Sequence, residues 1–211
     1  YVINDYFDTR IDAINKPDKV IVGETITKKQ ASLIHQLFTG IGIVLGLFVA
    51  YLCKSISLGL LIIMVPGLLW FYSASYKRQF LTGNIIVALN ASFIPLIIGI
   101  AEISYLSLDQ NYGNLLYQTP ISKTIYAWVC GFAAFAFMGT LIREIIKDME
   151  DEKGDREMES RSMPIVLGIK KTKLVVYGLI ALTLAAILYL QFNIIKGYAL
   201  IETPEENTLS L

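Results

Sequence analysis

Asn4, Asp5, Asp8 and Asp12 stand at the same relative spacing as Lys147, Asp148, Asp151 and Asp155 much later in the chain. At about 100° per residue, each series would cover an arc of about 100° on one face of a helix. Carboxylates pointing one way repel each other unless a positive charge sits among them. Both series also follow apolar sequence and would lie at helix C-termini, where the macrodipole disfavours a carboxylate by about 0.3–1 kcal/mol. Oxygen ligands without nitrogen or sulfur nearby suit a hard divalent cation, Mg²⁺ before zinc or copper. Magnesium commonly joins one or two carboxylates to phosphate oxygens, so the implied partner is a phosphate or diphosphate. The competing reading is a solvated helix face balanced by Arg10, Arg143, Lys147 and Lys153. One series alone leaves the two readings level; the repeat favours the ligand. An EF-hand is excluded, because Asp151–Asp155 lacks that loop's alternating ligands and closing glutamate.

The rest of the chain is built to carry these residues through a bilayer. Of 211 residues, 55% are hydrophobic and only 17% charged, against roughly a quarter in soluble domains. The apolar residues fall in five blocks, 33–53, 55–76, 84–101, 124–142 and 174–195, each long enough to span a membrane. An all-α, polytopic transmembrane bundle follows, with five complete spans plus an N-terminal helix stub, in one membrane-embedded domain over residues 1–211. Gly40, Gly42 and Gly46 would admit a neighbouring helix, Pro66 would kink the second span, and Asn90 would bond across helices. The stretches 13–30, 102–123 and 152–173 read as polar connections.

Parity assigns sides. With five spans, fifteen of the eighteen lysines and arginines share the side of both acidic series, and only Lys54, Lys123 and Lys196 face the other. That bias places the acidic side in the cytoplasm and the chain in the cell membrane. Lys77 and Arg78, on the same side, either hold a diphosphate's outer oxygens or simply anchor a span end. Aromatic residues in the spans pack or face lipid, and a few would line an apolar groove. Formal net charge is zero, so no basic field invites nucleic acid. Cys53 and Cys130 lie in apolar blocks as small hydrophobes, and one histidine, His35, builds no zinc site.

The first series, followed by Asn15-Lys16-Pro17, resembles the first signature of the UbiA superfamily of intramembrane prenyltransferases. The run from Arg143 to Asp155 resembles the second, and Tyr72-Ser73, Lys77-Arg78 and Gly83-Asn84 resemble a family segment between them. The likeness covers nearly the whole chain. It implies Mg²⁺-dependent transfer of a polyprenyl group from its diphosphate to an acceptor. Asn4, Asp8, Asp12, Asp151 and Asp155 would then be the core metal and diphosphate residues, with Asp5 and Asp148 assisting. Lys147, Lys77 and Arg78 would neutralise the leaving diphosphate, while Tyr72, Asn84 and Arg143 would contact substrate. The family usually has about nine spans, so a helix before Asn4 and two after Ile195 are expected outside this chain, which by itself would be inactive. Arg143 stands where many quinone-pathway members carry tyrosine. The run R-E-I-I-K-D-x-E-D-x-x-G-D is most similar to geranylgeranylglycerol-phosphate geranylgeranyltransferases, with an aromatic quinone precursor as the second acceptor class. A CDP-alcohol phosphotransferase would need one contiguous aspartate motif. A cation transporter would need its acids near mid-membrane rather than at span ends.

Overall fold

The computed structural model describes residues 2–15, 20–77 and 79–199, with side chains described for 2–9, 20–77 and 79–193. Arg78 and the Lys16-Pro17 pair therefore lie outside the described residues, as does the side chain of Asp12. Nine α-helices are found among the described residues: α1 (Val2–Asn15), α2 (Lys28–Leu52), α3 (Ile56–Phe71), α4 (Thr82–Leu106), α5 (Gln110–Gln118), α6 (Ile121–Glu150), α7 (Glu152–Glu157), α8 (Met163–Leu167) and α9 (Ile169–Ala199). A π-turn, Tyr72–Tyr76, continues α3.

Five helical segments are long and apolar enough to cross a membrane: Lys28–Leu52, Ile56–Tyr76, Thr82–Leu106, Ile121–Glu150 and Ile169–Asn193. Their outer faces carry Phe38, Leu60, Ile94, Phe132 and Leu182 in exposed positions. In water such a surface would drive aggregation; against lipid it is the expected face. The chain thus forms an all-helical integral membrane bundle.

Helix boundaries follow local chemistry more than hydropathy. Thr27 opens α2 with a capping box: its hydroxyl accepts from the Gln30 N–H at 3.3 Å, and Gln30 Oε1 accepts from the Thr27 N–H at 2.9 Å. Helix therefore begins at Lys28, inside the expected polar connection. Asp109 caps α5 by accepting from the Asn111 and Tyr112 amides at 2.8 and 3.2 Å, so the stretch 102–123 holds a short helix rather than only a loop. In the same way α7 and α8 occupy much of the expected connection 152–173.

Packing corrects three smaller expectations. Gly46 meets Ile62 of α3, where a Cβ would come within 2.6 Å of its Cγ2, but Gly40 and Gly42 face open space. The close glycine of the central pair is Gly99 of α4, whose Cβ would lie 2.7 Å from Val129 of α6. Asn90 donates to the Ile86 carbonyl of its own helix at 2.9 Å instead of bonding a neighbour. Its donor end is thus satisfied locally, while its buried Oδ1 has no hydrogen-bond partner among the described residues.

Two small cores sit near opposite ends of the bundle. Ala50, Cys53 and Leu58 join α2 and α3 against Ile97, Ile100 and Ala101 of α4. At the other end Ala88, Leu141, Ile145, Met163 and Val176 tie together α4, α6, α8 and α9. This second core forms the floor on which the acidic residues stand.

Candidate active site

The C-terminal ends of α3 and α6 and the N-terminal end of α4 meet at this end of the bundle, with α1 and α7 packed across it. Helix α1 brings the first acidic series against α7, and hence against the second. Asp8, only 3% exposed, is the most buried of the described aspartates. Lys77 forms an ion pair with Asp8, and its Nζ also donates to Asn4 Oδ1 at 3.5 Å.

The π-turn is what aims Lys77. Its amide reaches back five residues to the Tyr72 carbonyl at 3.0 Å, one residue more than an α-helix allows, which rotates the end of α3 relative to its body. Gly83 makes room for that turn. A Cβ there would lie 2.8 Å from the Tyr76 carbonyl oxygen and 3.2 Å from the Tyr72 ring. The next residue, Asn84, is buried and donates through Nδ2 to Asp148 Oδ2 at 2.8 Å. Gly83-Asn84 thus closes α4 onto the π-turn on one side and fixes a carboxylate of α6 on the other.

The second series is not one continuous helical face. Helix α6 ends at Glu150, Asp151 has φ −88° and ψ 5°, and α7 restarts at Glu152. Asp148 therefore belongs to α6, Asp155 to α7, and Asp151 to the joint. The break turns Asp155 inward, where burial pushes its carboxyl above the ordinary carboxylate value. The Ser162 hydroxyl, the Lys77 ammonium and the Ser160 hydroxyl oppose that shift, while Asp151 adds to it. Ser160 and Ser162 are buried, yet neither hydroxyl reaches hydrogen-bond geometry with any partner. They are close enough to favour an ionised Asp155 without binding it. Lys77 is thereby shared electrostatically between α1 and α7.

The remaining expected residues are placed as follows. Asp5 is half-buried on α1, and Lys147 is half-buried beside Asp148, on which its charge acts. Tyr72 is half-buried under the charges of Glu144, Asp148, Asp8 and Asp155. Arg143 is 64% exposed and pairs with Glu144 Oε1 at 2.9 Å rather than with either acidic series. Three residues carried no signal in the spacing pattern: Glu144, Ser160 and Ser162. Glu144 was detectable as a lone acid inside an apolar run; the serines had no periodicity to mark them.

Among the described residues no three carboxylates, histidines or cysteines converge on one point that would hold a metal ion. The acids instead form two groups facing each other across Lys77. A set of oxygen donors would suit Mg²⁺, which keeps several waters and takes one or two carboxylates when phosphate oxygens complete its shell. The donors are all oxygen, and the two unpartnered hydroxyls beside Asp155 are placed to meet an anion or its hydration shell. Asn4, Asp8, Asp148 and Asp155, with Asp151 at the joint, are the residues that would hold it.

Fold and site together define an integral membrane protein with paired carboxylate groups at one end of its bundle. Residues 1–202 match the UbiA prenyltransferase family, and the chain belongs to that family. Similar curated proteins include the digeranylgeranylglyceryl phosphate synthases of Korarchaeum cryptofilum, 31% identical over 92% of this chain and 64% of that protein, and of Methanosphaera stadtmanae, 31% identical over 89% and 60%. That of Pyrococcus horikoshii is 29% identical over 93% and 62%. The chain thus spans about three fifths of the length of these relatives. No solved structure matches it significantly.

Proposed function

We propose that the whole protein transfers a polyprenyl group, geranylgeranyl by preference, from its diphosphate to the hydroxyl of a glycerol-phosphate lipid, with Mg²⁺ bound and the site facing the cytoplasm. The observation that carries this reading is the approach of Asn4 and Asp8, held by Lys77, to Asp155 of α7, with Asp148 of α6 fixed by Asn84. The names of the relatives and the family support the prenyl donor and the lipid acceptor.

The chain's own residues divide the work by position. Lys77 stands between the two acidic groups and donates to the departing diphosphate as a compact charge. Lys147 adds a second cation, and Arg78, next in sequence to Lys77, would add a third. Asn84 holds Asp148 in one orientation, so the α6 carboxylate need not reorganise when substrate arrives. When bound, Mg²⁺ neutralises the negative charge that develops on the leaving group. The prenyl chain is apolar and enters the bundle beneath the charged layer. There Tyr72 presents its ring at the level where the allylic carbon ionises, and low water content protects that carbon from hydrolysis.

The test uses the intact protein in membranes with labelled geranylgeranyl diphosphate and Mg²⁺. Asp8→Ala and Asp151→Ala are each expected to reduce transfer by about 10²–10³-fold. Unchanged turnover in either variant would remove the assignment. Offering a glycerol-phosphate lipid and an aromatic acid together identifies the acceptor; product from the aromatic acid alone overturns the lipid reading.

A further inference from the structure

Glu144 is buried to 5% exposure inside a membrane-spanning helix, where an ionisable group calls for a specific partner. Its partner is Arg143, its own neighbour in sequence, which donates to Oε1 at 2.9 Å while remaining 64% exposed. A pair of adjacent residues ties no two helices together, so it does nothing for the packing of the bundle.

Its level in the site is informative. Helix α6 runs toward the acidic end, so Glu144 lies one turn, about 6 Å, deeper than Asp148 on the same face. Helix α3 runs the same way, which puts Tyr72 deeper than Lys77 by the length of the π-turn. Tyr72 and Glu144 therefore form a second layer beneath Lys77, Asn84 and Asp148. A diphosphate held in the upper layer, with its hydrocarbon pointing into the bundle, sets its first allylic carbon in this second layer.

We propose that Arg143 and Glu144 form the acceptor subsite, Glu144 taking the proton of the acceptor hydroxyl and Arg143 binding the acceptor's phosphate. The proposal rests on the reaction assigned above. In the step, the bond between the allylic carbon and the diphosphate oxygen breaks, and its electron pair leaves with the diphosphate. A carbon–oxygen ether bond forms to the acceptor, and the hydroxyl proton passes to a Glu144 carboxylate oxygen. A buried carboxylate is suited to this because few waters compete for it, and its negative charge also faces the carbon on which positive charge grows. Arg143 is suited to the phosphate by its forked donors and its exposure at the edge of the bundle. Phosphate binding would draw the guanidinium from Glu144 and leave the carboxylate free to accept a proton.

The experiment measures two products of the intact protein in membranes: the ether lipid, and the free prenyl alcohol made when water intercepts the allylic carbon. The substrates are labelled geranylgeranyl diphosphate and geranylgeranylglycerol phosphate. Glu144→Gln is expected to move the ratio of transfer to hydrolysis by about 10²-fold toward hydrolysis, with Glu144→Asp recovering part of it. Arg143→Gln is expected to raise the KM for the acceptor about tenfold or more, well beyond any change for the diphosphate. A structural role would lower both products together, and that result, or a ratio unchanged in Glu144→Gln, overturns the proposal. If Glu144→Gln does not accumulate in membranes, Arg143→Gln decides: an unchanged acceptor KM overturns it. Wild-type protein that makes no ether lipid overturns the reaction itself. Wild-type protein that makes it, beside an unaltered Glu144→Gln variant, overturns only the subsite.

Discussion

The α1 side of the site is held by an ion pair to Lys77, whereas on the α6–α7 side a neutral amide, that of Asn84, holds Asp148. Asp8 and Asn4 both depend on Lys77, which arrives from another helix through a π-turn. Asp148 is fixed by the Asn84 amide, and Asp155 is backed by two hydroxyls that make no hydrogen bond. A lysine can leave its carboxylate for a phosphate, because three rotatable donors on a flexible stem adapt to either. An amide bonded at 2.8 Å between two helices cannot move as freely. On the proposed reading the α6–α7 side would be a prepared surface and the α1 side a latch for substrate to release.

The largest effect should come from breaking the latch. Lys77→Met leaves Asp8 buried without its counter-ion, a change that destabilises by about 3–5 kcal/mol when a buried pair loses one member. The pair is partly open on the lysine side, with its side chain 22% exposed, so the lower end of that range is expected. Thermal unfolding in detergent measures it. Adding Asp8→Asn to Lys77→Met should restore much of the loss, since no unpaired charge then remains. A double variant as unstable as Lys77→Met alone would show that Asp8 is not the group that suffers.

Next comes the wedge that aims the latch. Gly83→Ala sets a methyl group 2.8 Å from a backbone carbonyl that has no flexible end to yield. The π-turn or the start of α4 must shift, at about 1–3 kcal/mol, and Lys77 shifts with it. Affinity for a non-hydrolysable prenyl diphosphate should fall along with stability. If stability falls and affinity holds, the π-turn does not position Lys77.

How much of this is legible in the sequence depends on the kind of interaction. The five spans were legible because lipid demands long apolar runs. The meeting of the acidic series was legible because five crossings put both on one side. The split of the second series was not: Lys147 to Asp155 carries the same spacing as Asn4 to Asp12, and spacing alone cannot reveal that α6 stops at Glu150. Short helices α5, α7 and α8 were missed because they are fixed by caps and packing rather than by hydropathy. Arg143 stands among the expected substrate residues, and nothing in the spacing marks its pairing with Glu144.

On the prepared side, Asn84→Ala removes a hydrogen bond to a carboxylate, which is worth about 1.5–3 kcal/mol. Its effect on the protein without ligand should be smaller than that of Lys77→Met, because Asp148 is half-buried and also feels the Lys147 charge. Transfer should nevertheless fall, as Asp148 loses its fixed orientation. Full activity with a loosened Asp148 would mean that the α6 carboxylate needs no preparation.

The smallest effect on stability is expected where the contrast between the two sides is sharpest. Ser160 and Ser162 are 4% and 2% exposed, and their hydroxyls are unsatisfied. A buried polar group without a partner is itself unfavourable by about 1–3 kcal/mol. Replacing both with alanine relieves that burial but also removes two dipoles that favour an ionised Asp155, so the ligand-free protein should change little in stability. In the presence of prenyl diphosphate and Mg²⁺ a difference should emerge: wild type should gain more thermal stability from ligand than the double variant does. Equal gains would show that the hydroxyls serve the Asp155 loop alone, while a larger gain in wild type marks them as donors waiting for an anion.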